Sequence, residues 1–215
     1  MKKHILCLGD SNTHGYCADP KDCADGGIRF NEEERWPCLL QKALGDDYLV
    51  IEEGLSGRTT VYDDPLFENM NTLSYLYSIL MSHEPIDLLI IMLGTNDTKT
   101  RLATNSYGIA LGLQRLVEKA RTVDCWAGTP NILVVAPAPI EKGVETSLVA
   151  DEMGSGAVER SQELAGKYRE TAELLGLHFM DAAGCEINQV DFMHLTRRGH
   201  RQLADRFAAL VPNLV

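Results

Sequence analysis

Two uninterrupted apolar runs constrain this chain more than any other feature: Leu88-Leu89-Ile90-Ile91-Met92-Leu93 and Ile132-Leu133-Val134-Val135-Ala136. Each has strand length and no polar face, so each must be covered on both sides. That is the condition of interior strands in a parallel sheet. With these two included, strands are expected at His4–Leu8, Tyr48–Ile51, Asp87–Leu93, Asn131–Ala136 and Leu177–Met180. Between them the apolar period changes to that of helices. Leu73, Leu76, Tyr77 and Leu80 form one stripe, and Ile109, Leu113, Leu116, Val117 and Ala120 another. Val158, Leu164, Ala165, Tyr168, Ala172 and Leu175 mark a long third helix that Gly176 closes. Trp36–Leu44 and Gly199–Leu210 supply the first and last helices. Strand and helix alternate throughout, which predicts an α/β fold with an open parallel sheet of mainly five strands and helices on both faces. No linker or repeat divides residues 1–215, so one domain is expected.

Sheets of this kind bind ligands beyond the carboxyl ends of their strands. Ser11, in Leu8-Gly9-Asp10-Ser11, lies just past the first strand. Gly57, in Gly54-Leu55-Ser56-Gly57-Arg58-Thr59, follows the second, and Asn96, in Gly94-Thr95-Asn96-Asp97, follows the third. Asp191-Phe192-Met193-His194 precedes the last helix. Alone, Asp10-Ser11-Asn12 would be read as a polar turn or helix cap, Gly57 as a turn glycine, and Asp191/His194 as a surface pair. Together they offer a hydroxyl nucleophile, a base with an orienting carboxylate, and donors for a tetrahedral oxyanion. The expected catalytic set is Ser11, His194 and Asp191, with Ser11, Gly57 and Asn96 forming the oxyanion hole. Asp10, Asn12, His14, Ser56, Thr95 and Met193 are expected around the substrate. His14 competes with His194 for the role of base but lacks a carboxylate of similar placement, so it is assigned to the pocket wall. His200, in Gly199-His200-Arg201-Gln202, reads as part of a solvated helical face.

Charge narrows the partners. Against 31 Asp and Glu stand 20 Lys and Arg, a net charge of -11. Nucleic acid and anionic membrane select for basic patches, so a small, neutral ester is the expected partner. No apolar run approaches the roughly 20 residues of a membrane helix. Met1-Lys2-Lys3 resembles the start of a signal peptide, but Ile5-Leu6-Cys7-Leu8 is far shorter than the ~7–15 apolar residues secretion uses. The expected compartment is therefore the cytoplasm. No metal is expected, since His-Glu-x-x-His and clustered Cys/His spacings are lacking, and neither a phosphate loop nor a dinucleotide fingerprint suggests a cofactor. Cys7 and Cys185 read as small buried hydrophobes; Cys17 and Cys23 share a loop and could pair or bind metal, but a cytoplasmic chain disfavours both.

The four blocks spell out a family resemblance. Ser11, Gly57, Asn96 and His194 match, one by one, the naming residues of the SGNH hydrolases, also called GDSL esterases, and Asp191 matches their Asp-x-x-His partner. The chain is most similar to the bacterial arylesterase/acyltransferase branch. That similarity runs through Val50-Ile51-Glu52-Glu53-Gly54, Arg58-Thr59-Thr60, Asp63-Asp64-Pro65, Gly94 to Lys99, Ile109-Ala110-Leu111-Gly112 and His194-Leu195-Thr196. It covers nearly the whole chain and weakens around Cys17–Arg35, Asn69 and Ile140–Gly154. The resemblance implies a flavodoxin-like three-layer α/β/α sandwich, no cofactor, hydrolysis of short acyl esters with acyl transfer to alcohols beside it, and a homo-oligomer whose contacts narrow the pocket. Where some relatives carry Leu-Thr-Trp-Gly after the serine, this chain has Asn12-Thr13-His14-Gly15 and then Tyr16. A more polar wall there would suit a polyhydroxylated substrate such as an acetylated sugar.

Overall fold

Residues 1–215 are described by a computed structural model. Five strands form one all-parallel sheet in the order β2-β1-β3-β4-β5. They are β1 (Lys3–Gly9), β2 (Tyr48–Gly54), β3 (Leu88–Met92), β4 (Ile132–Ala136) and β5 (His178–Asp181). This is the flavodoxin-like order, with β1 and β3 adjacent at the point where the winding reverses.

The alternation of side chains along each strand separates two cores. Leu6, Leu8, Leu89, Ile91 and Val134 point to one face, where α3 (Thr72–Ser82), α4 (Ser106–Arg121) and α6 (Ala157–Leu175) cover them. Ile5, Cys7, Leu88, Ile90, Leu133 and Val135 point to the other, beneath α2 (Trp36–Leu44) and α7 (Arg197–Leu210). Every residue of β3 and β4 is buried, as their continuous apolar spelling requires. Short helices complete the set: α1 (Ser11–His14), α5 (Ala150–Met153) and four 3-10 turns over Asn96–Thr98, Thr100–Leu102, Lys142–Thr146 and Val211–Asn213. No helix is long and apolar enough to cross a membrane.

Three expectations need correction. β2 extends through Glu52 and Glu53 to Gly54 rather than ending at Ile51. It is an edge strand, so acidic side chains there remain half-buried, and Glu52 pairs with Arg35 at 2.6 Å. Tyr77, placed in the apolar stripe of α3, is 59% exposed, while Leu76 and Leu80 are buried. His200 is fully buried rather than solvated, with its Nδ1 accepting from the Trp36 N–H at 3.2 Å. Burial above all, with the electrostatic influence of His194 and Arg35, pushes its imidazole down to about 3, so it stays neutral.

The cysteines are free thiols. Cys7 and Cys185 belong to the sheet core, and Cys17 and Cys23 pack with Phe30 in a small satellite core under the 17–35 loop.

Candidate active site

β1 ends at Gly9 and the chain turns at once into α1, where the Asp10 carboxylate caps the helix by accepting from the Asn12 N–H at 3.0 Å. That turn lifts Ser11 out at the carboxyl edge of the sheet. The crossing is tight: a Cβ on Gly54, at the end of neighbouring β2, would fall on the His14 amide nitrogen, so only glycine fits there.

His194 comes from the far end of the chain, held by an unusual turn. One Asp191 carboxylate oxygen, Oδ1, accepts from the Met193 and His194 N–H groups, both at 3.1 Å, and from Asn188 Nδ2 at 2.8 Å. Phe192 takes up a left-handed backbone conformation, φ 61°, to let the chain double back. The other oxygen, Oδ2, lies 2.7 Å from His194 Nδ1. A carboxylate only accepts, so the imidazole carries its proton on Nδ1 and presents Nε2 as acceptor. Ser11 Oγ lies 2.7 Å from that Nε2 and donates to it. Burial would raise the Asp191 carboxyl, but the hydrogen bond and electrostatic pull of the His194 ring, then the Asn188 and Met193 donors, outweigh it and hold the group near 2. Tyr16 leans on the imidazole with ring centroids 4.6 Å apart.

The donors converge on the same place. Gly57 lines the cavity and has φ 91°, a left-handed conformation that suits glycine. Its N–H makes no hydrogen bond within the chain. Asn96 Nδ2 spends one of its two N–H groups on the Arg58 carbonyl at 3.1 Å, leaving the other for a ligand. The next residue, Asp97, is fully buried and accepts from the Thr60 N–H at 2.9 Å and the Thr60 hydroxyl at 2.5 Å. The turn after β3 therefore grips the turn after β2, fixing Gly57 and Asn96 relative to one another.

Ser11, Gly57, Asn96, Asp191 and His194 line one cavity of about 200 Å³, and so do Ser56, Thr95 and Met193. Three expected substrate contacts do not line it. Asp10 is fully buried beneath Ser11 as the helix cap, where burial pushes its carboxyl up to about 6. Asn12 turns toward the histidine loop, donating to the Met193 carbonyl at 3.2 Å and accepting from the Leu195 N–H at 2.9 Å. Those two bonds tie α1 to the backbone on either side of His194. His14 points away, its Nδ1 3.3 Å from the Gly54 carbonyl, so it neither forms the pocket wall nor competes as base. Of the polar segment after the serine, Tyr16 is the member that reaches the cavity.

The remaining lining residues are Phe67, Lys99, Val149, Glu152 and Met153; none was singled out by residue in the sequence, although all but Lys99 lie in the long stretches 61–70 and 137–156, the kind of segment that forms binding walls. Asn188 was likewise unmarked, although an Asn three residues before an Asp in a polar loop is a signal for side-chain-capped turns.

Comparison with known proteins places this geometry among relatives. The family model of the GDSL-like lipase/acylhydrolase family matches residues 7–202. A carbohydrate acetylesterase family member from Sinorhizobium meliloti superposes with a TM-score of 0.88 at 38% identity, covering 99% of this chain and 98% of that one. The aryl esterase of M. smegmatis superposes with a TM-score of 0.86 at 37% identity, covering 99% of this chain and 100% of the other. An acetylxylan esterase from Xylanibacter ruminicola is 25% identical over 230 residues, a match that takes in 96% of this chain. The chain spans 42% of that relative's length.

Proposed function

The chain belongs to the GDSL-like lipase/acylhydrolase family and is a carboxylic ester hydrolase, and from that premise we propose that it cleaves acetyl-type esters of small alcohols through an acyl-serine intermediate. The observation that carries the reading is the unbroken line from Asp191 Oδ2 to His194 to Ser11 Oγ, both links 2.7 Å, beside the unpaired Gly57 N–H.

In this reading Ser11 Oγ attacks the ester carbonyl while His194 Nε2 takes its proton. A free serine hydroxyl is too weakly acidic to attack unaided, so the pre-formed bond to Nε2 is what activates it. The carbonyl oxygen gains charge and is held by the Ser11 and Gly57 N–H groups and by Asn96 Nδ2, each donor worth roughly 2.7–4 kcal/mol at the transition state. Asp191 stabilises the imidazolium and keeps its Nε2 aimed at the reaction. The imidazolium protonates the departing alcohol, leaving acyl-Ser11. Water, deprotonated by His194, then attacks the acyl group and releases the acid and free Ser11. An added alcohol competes with water at this last step, and acyl transfer is part of the proposal.

A short acyl group suits a cavity of about 200 Å³ walled by Met153 and Met193, below the roughly 300–1,000 Å³ of drug-sized sites. A second reading, removal of acetyl groups from carbohydrates by the same residues, is favoured by the likeness to a carbohydrate acetylesterase and to an acetylxylan esterase. Homo-oligomerisation belongs to the proposal too. It is supported by Leu66 and Leu148, 71% and 96% exposed on the loops flanking the cavity. Matched acetyl, butyryl and octanoyl esters of aryl and sugar alcohols test substrate choice, with light scattering on the same sample. Acetyl esters should lead in kcat/KM; an octanoyl preference overturns the short-acyl reading, and a fully active monomer overturns the assembly.

A further inference from the structure

Lys99 is a lysine where a lysine is costly. Its side chain is 3% exposed, and its ammonium lies 2.9 Å from Glu152 Oε1 with no other oxygen partner. The cation sits over the Phe67 ring, 4.7 Å from the centroid, and both Lys99 and Glu152 line the cavity that holds Ser11. An ammonium has three N–H groups, so at least one remains for a ligand. Glu152 is half-exposed, and its second oxygen, Oε2, accepts nothing. We propose that Lys99 and Glu152 recognise the alcohol half of the substrate and select esters carrying a free hydroxyl close to the scissile bond, as in a partly acetylated polyol or sugar. This rests on the ester-hydrolase reading above and names the chemistry its leaving group must have.

Three physical points select that class. The pair is neutral as a whole and stands in the same cavity as Asp191, so an anionic substrate gains nothing from it. An apolar aryl group would cover the spare N–H groups of Lys99 and the free oxygen of Glu152 without bonding either, and covered polar groups left unpaired are destabilising. A hydroxyl accepts from one member and donates to the other, satisfying both at once.

The pair is also held in place before any ligand arrives. Arg101 grips the Asp64 carboxylate with Nε at 3.0 Å from Oδ1 and Nη2 at 2.8 Å from Oδ2, and it donates from Nη1 to the Glu152 carbonyl at 2.9 Å. The loop bearing Phe67 and the helix bearing Glu152 are thereby fixed to one another around the Lys99 ammonium. Preorganised groups bind without the ordering cost that mobile side chains carry.

The test compares an aryl acetate that has no hydroxyl with a monoacetylated glycerol or xylose, in wild type, Lys99→Met and Glu152→Gln. Methionine keeps the length of the side chain without its charge, and Glu152, half-exposed, remains solvated in its absence. Lys99→Met should lower the ratio of kcat/KM for the hydroxylated ester over the aryl ester by roughly 10- to 100-fold, the span expected for losing a charged hydrogen bond. The loss should fall on KM more than on kcat, and Glu152→Gln should move the ratio in the same direction by less. Should Lys99→Met fail to fold, the Glu152→Gln ratio decides. A parallel fall for both esters makes Lys99 a wall residue and overturns the proposal, as does an unchanged ratio or a wild type that turns over the aryl ester alone. A wild type inactive on every ester would instead overturn the ester-hydrolase reading.

Discussion

Two regions of the cavity lining differ in how they are built. Ser11, Gly57, Asn96 and His194 each lie a few residues from the end of a strand or the start of a helix, and main-chain geometry sets their positions. Their braces are short and mutual: Asn12 ties α1 to the histidine loop, Asn96 holds the Arg58 carbonyl, and Asp97 holds Thr60. Phe67, Lys99, Val149, Glu152 and Met153 come instead from the loop after β2, from the turn beyond Asn96, and from short helix α5 with the residue before it. What holds that region is side-chain charge, the Arg101–Asp64 and Lys99–Glu152 pairs, together with a small apolar cluster in which Met153 packs with Ile140, Val144, Val158 and Met193. The sheet edge supplies bond-making groups whose placement tolerates little error, and the loops supply selectivity, which can change without disturbing them.

If that division is right, changes in the first region should cost far more than changes in the second. The largest loss is expected from Ser11→Ala, about 10⁶-fold in kcat, with His194→Ala as severe and the double variant little worse, because the members act as a unit. Asp191→Asn should cost about 10⁴-fold, since an amide no longer imposes the Nδ1–H tautomer. Steady-state kinetics with circular dichroism as a fold check reads all four. Equal single and double losses support a unit; additive losses break it.

Asn96→Ala is the next step down. Removing one oxyanion donor should lower kcat by roughly 10²–10³-fold with a smaller change in KM, because the charge it meets develops during the reaction. A rise in KM alone would move Asn96 from the reacting region to the selective one.

The smallest effect sharpens a contrast within the sheet edge itself, between two buried carboxyls. Asp191 is held near 2, below its unfolded value, so the stability it contributes is present above about pH 4 and is lost as pH falls toward 2. Asp10 is pushed up to about 6, so its contribution is complete below about pH 4 and is lost as pH rises through 6. Asp10→Asn keeps an acceptor for the Asn12 N–H and removes the titration. Urea unfolding should show the variant gaining roughly 2–3 kcal/mol relative to wild type between pH 4 and 8. A constant offset at all pH values would mean that the Asp10 carboxyl does not titrate across this window.

How much of this was legible in the chain follows the same division. β3 and β4 announced themselves because a strand covered on both faces must be apolar throughout, and Gly176 marked the end of α6 because a left-handed cap there needs glycine, φ 62°. Ser11, Gly57 and Asn96 were legible as a set because each sits at a strand end, a local relation that spacing preserves. Lys99 lay in plain view three residues after Asn96. Nothing local shows that its ammonium turns back into the cavity, since that depends on Glu152, fifty-three residues away, and on Phe67. His200 was misread because Arg197, Arg198 and Arg201 surround it in sequence, while the helix turns it inward to meet the Trp36 N–H. His14 was misread because proximity in sequence to Ser11 says nothing about which side of α1 a ring occupies.

The central claim is that chemistry passes through a covalent bond to Ser11 Oγ. A fluorophosphonate reacts only with a serine whose proton is being removed, so labelling followed by intact mass and peptide mapping tests the claim without knowledge of the natural ester. The account predicts one adduct per chain, located on Ser11, absent in Ser11→Ala and strongly slowed in His194→Ala. An adduct on another residue, or undiminished labelling of Ser11→Ala, would contradict it.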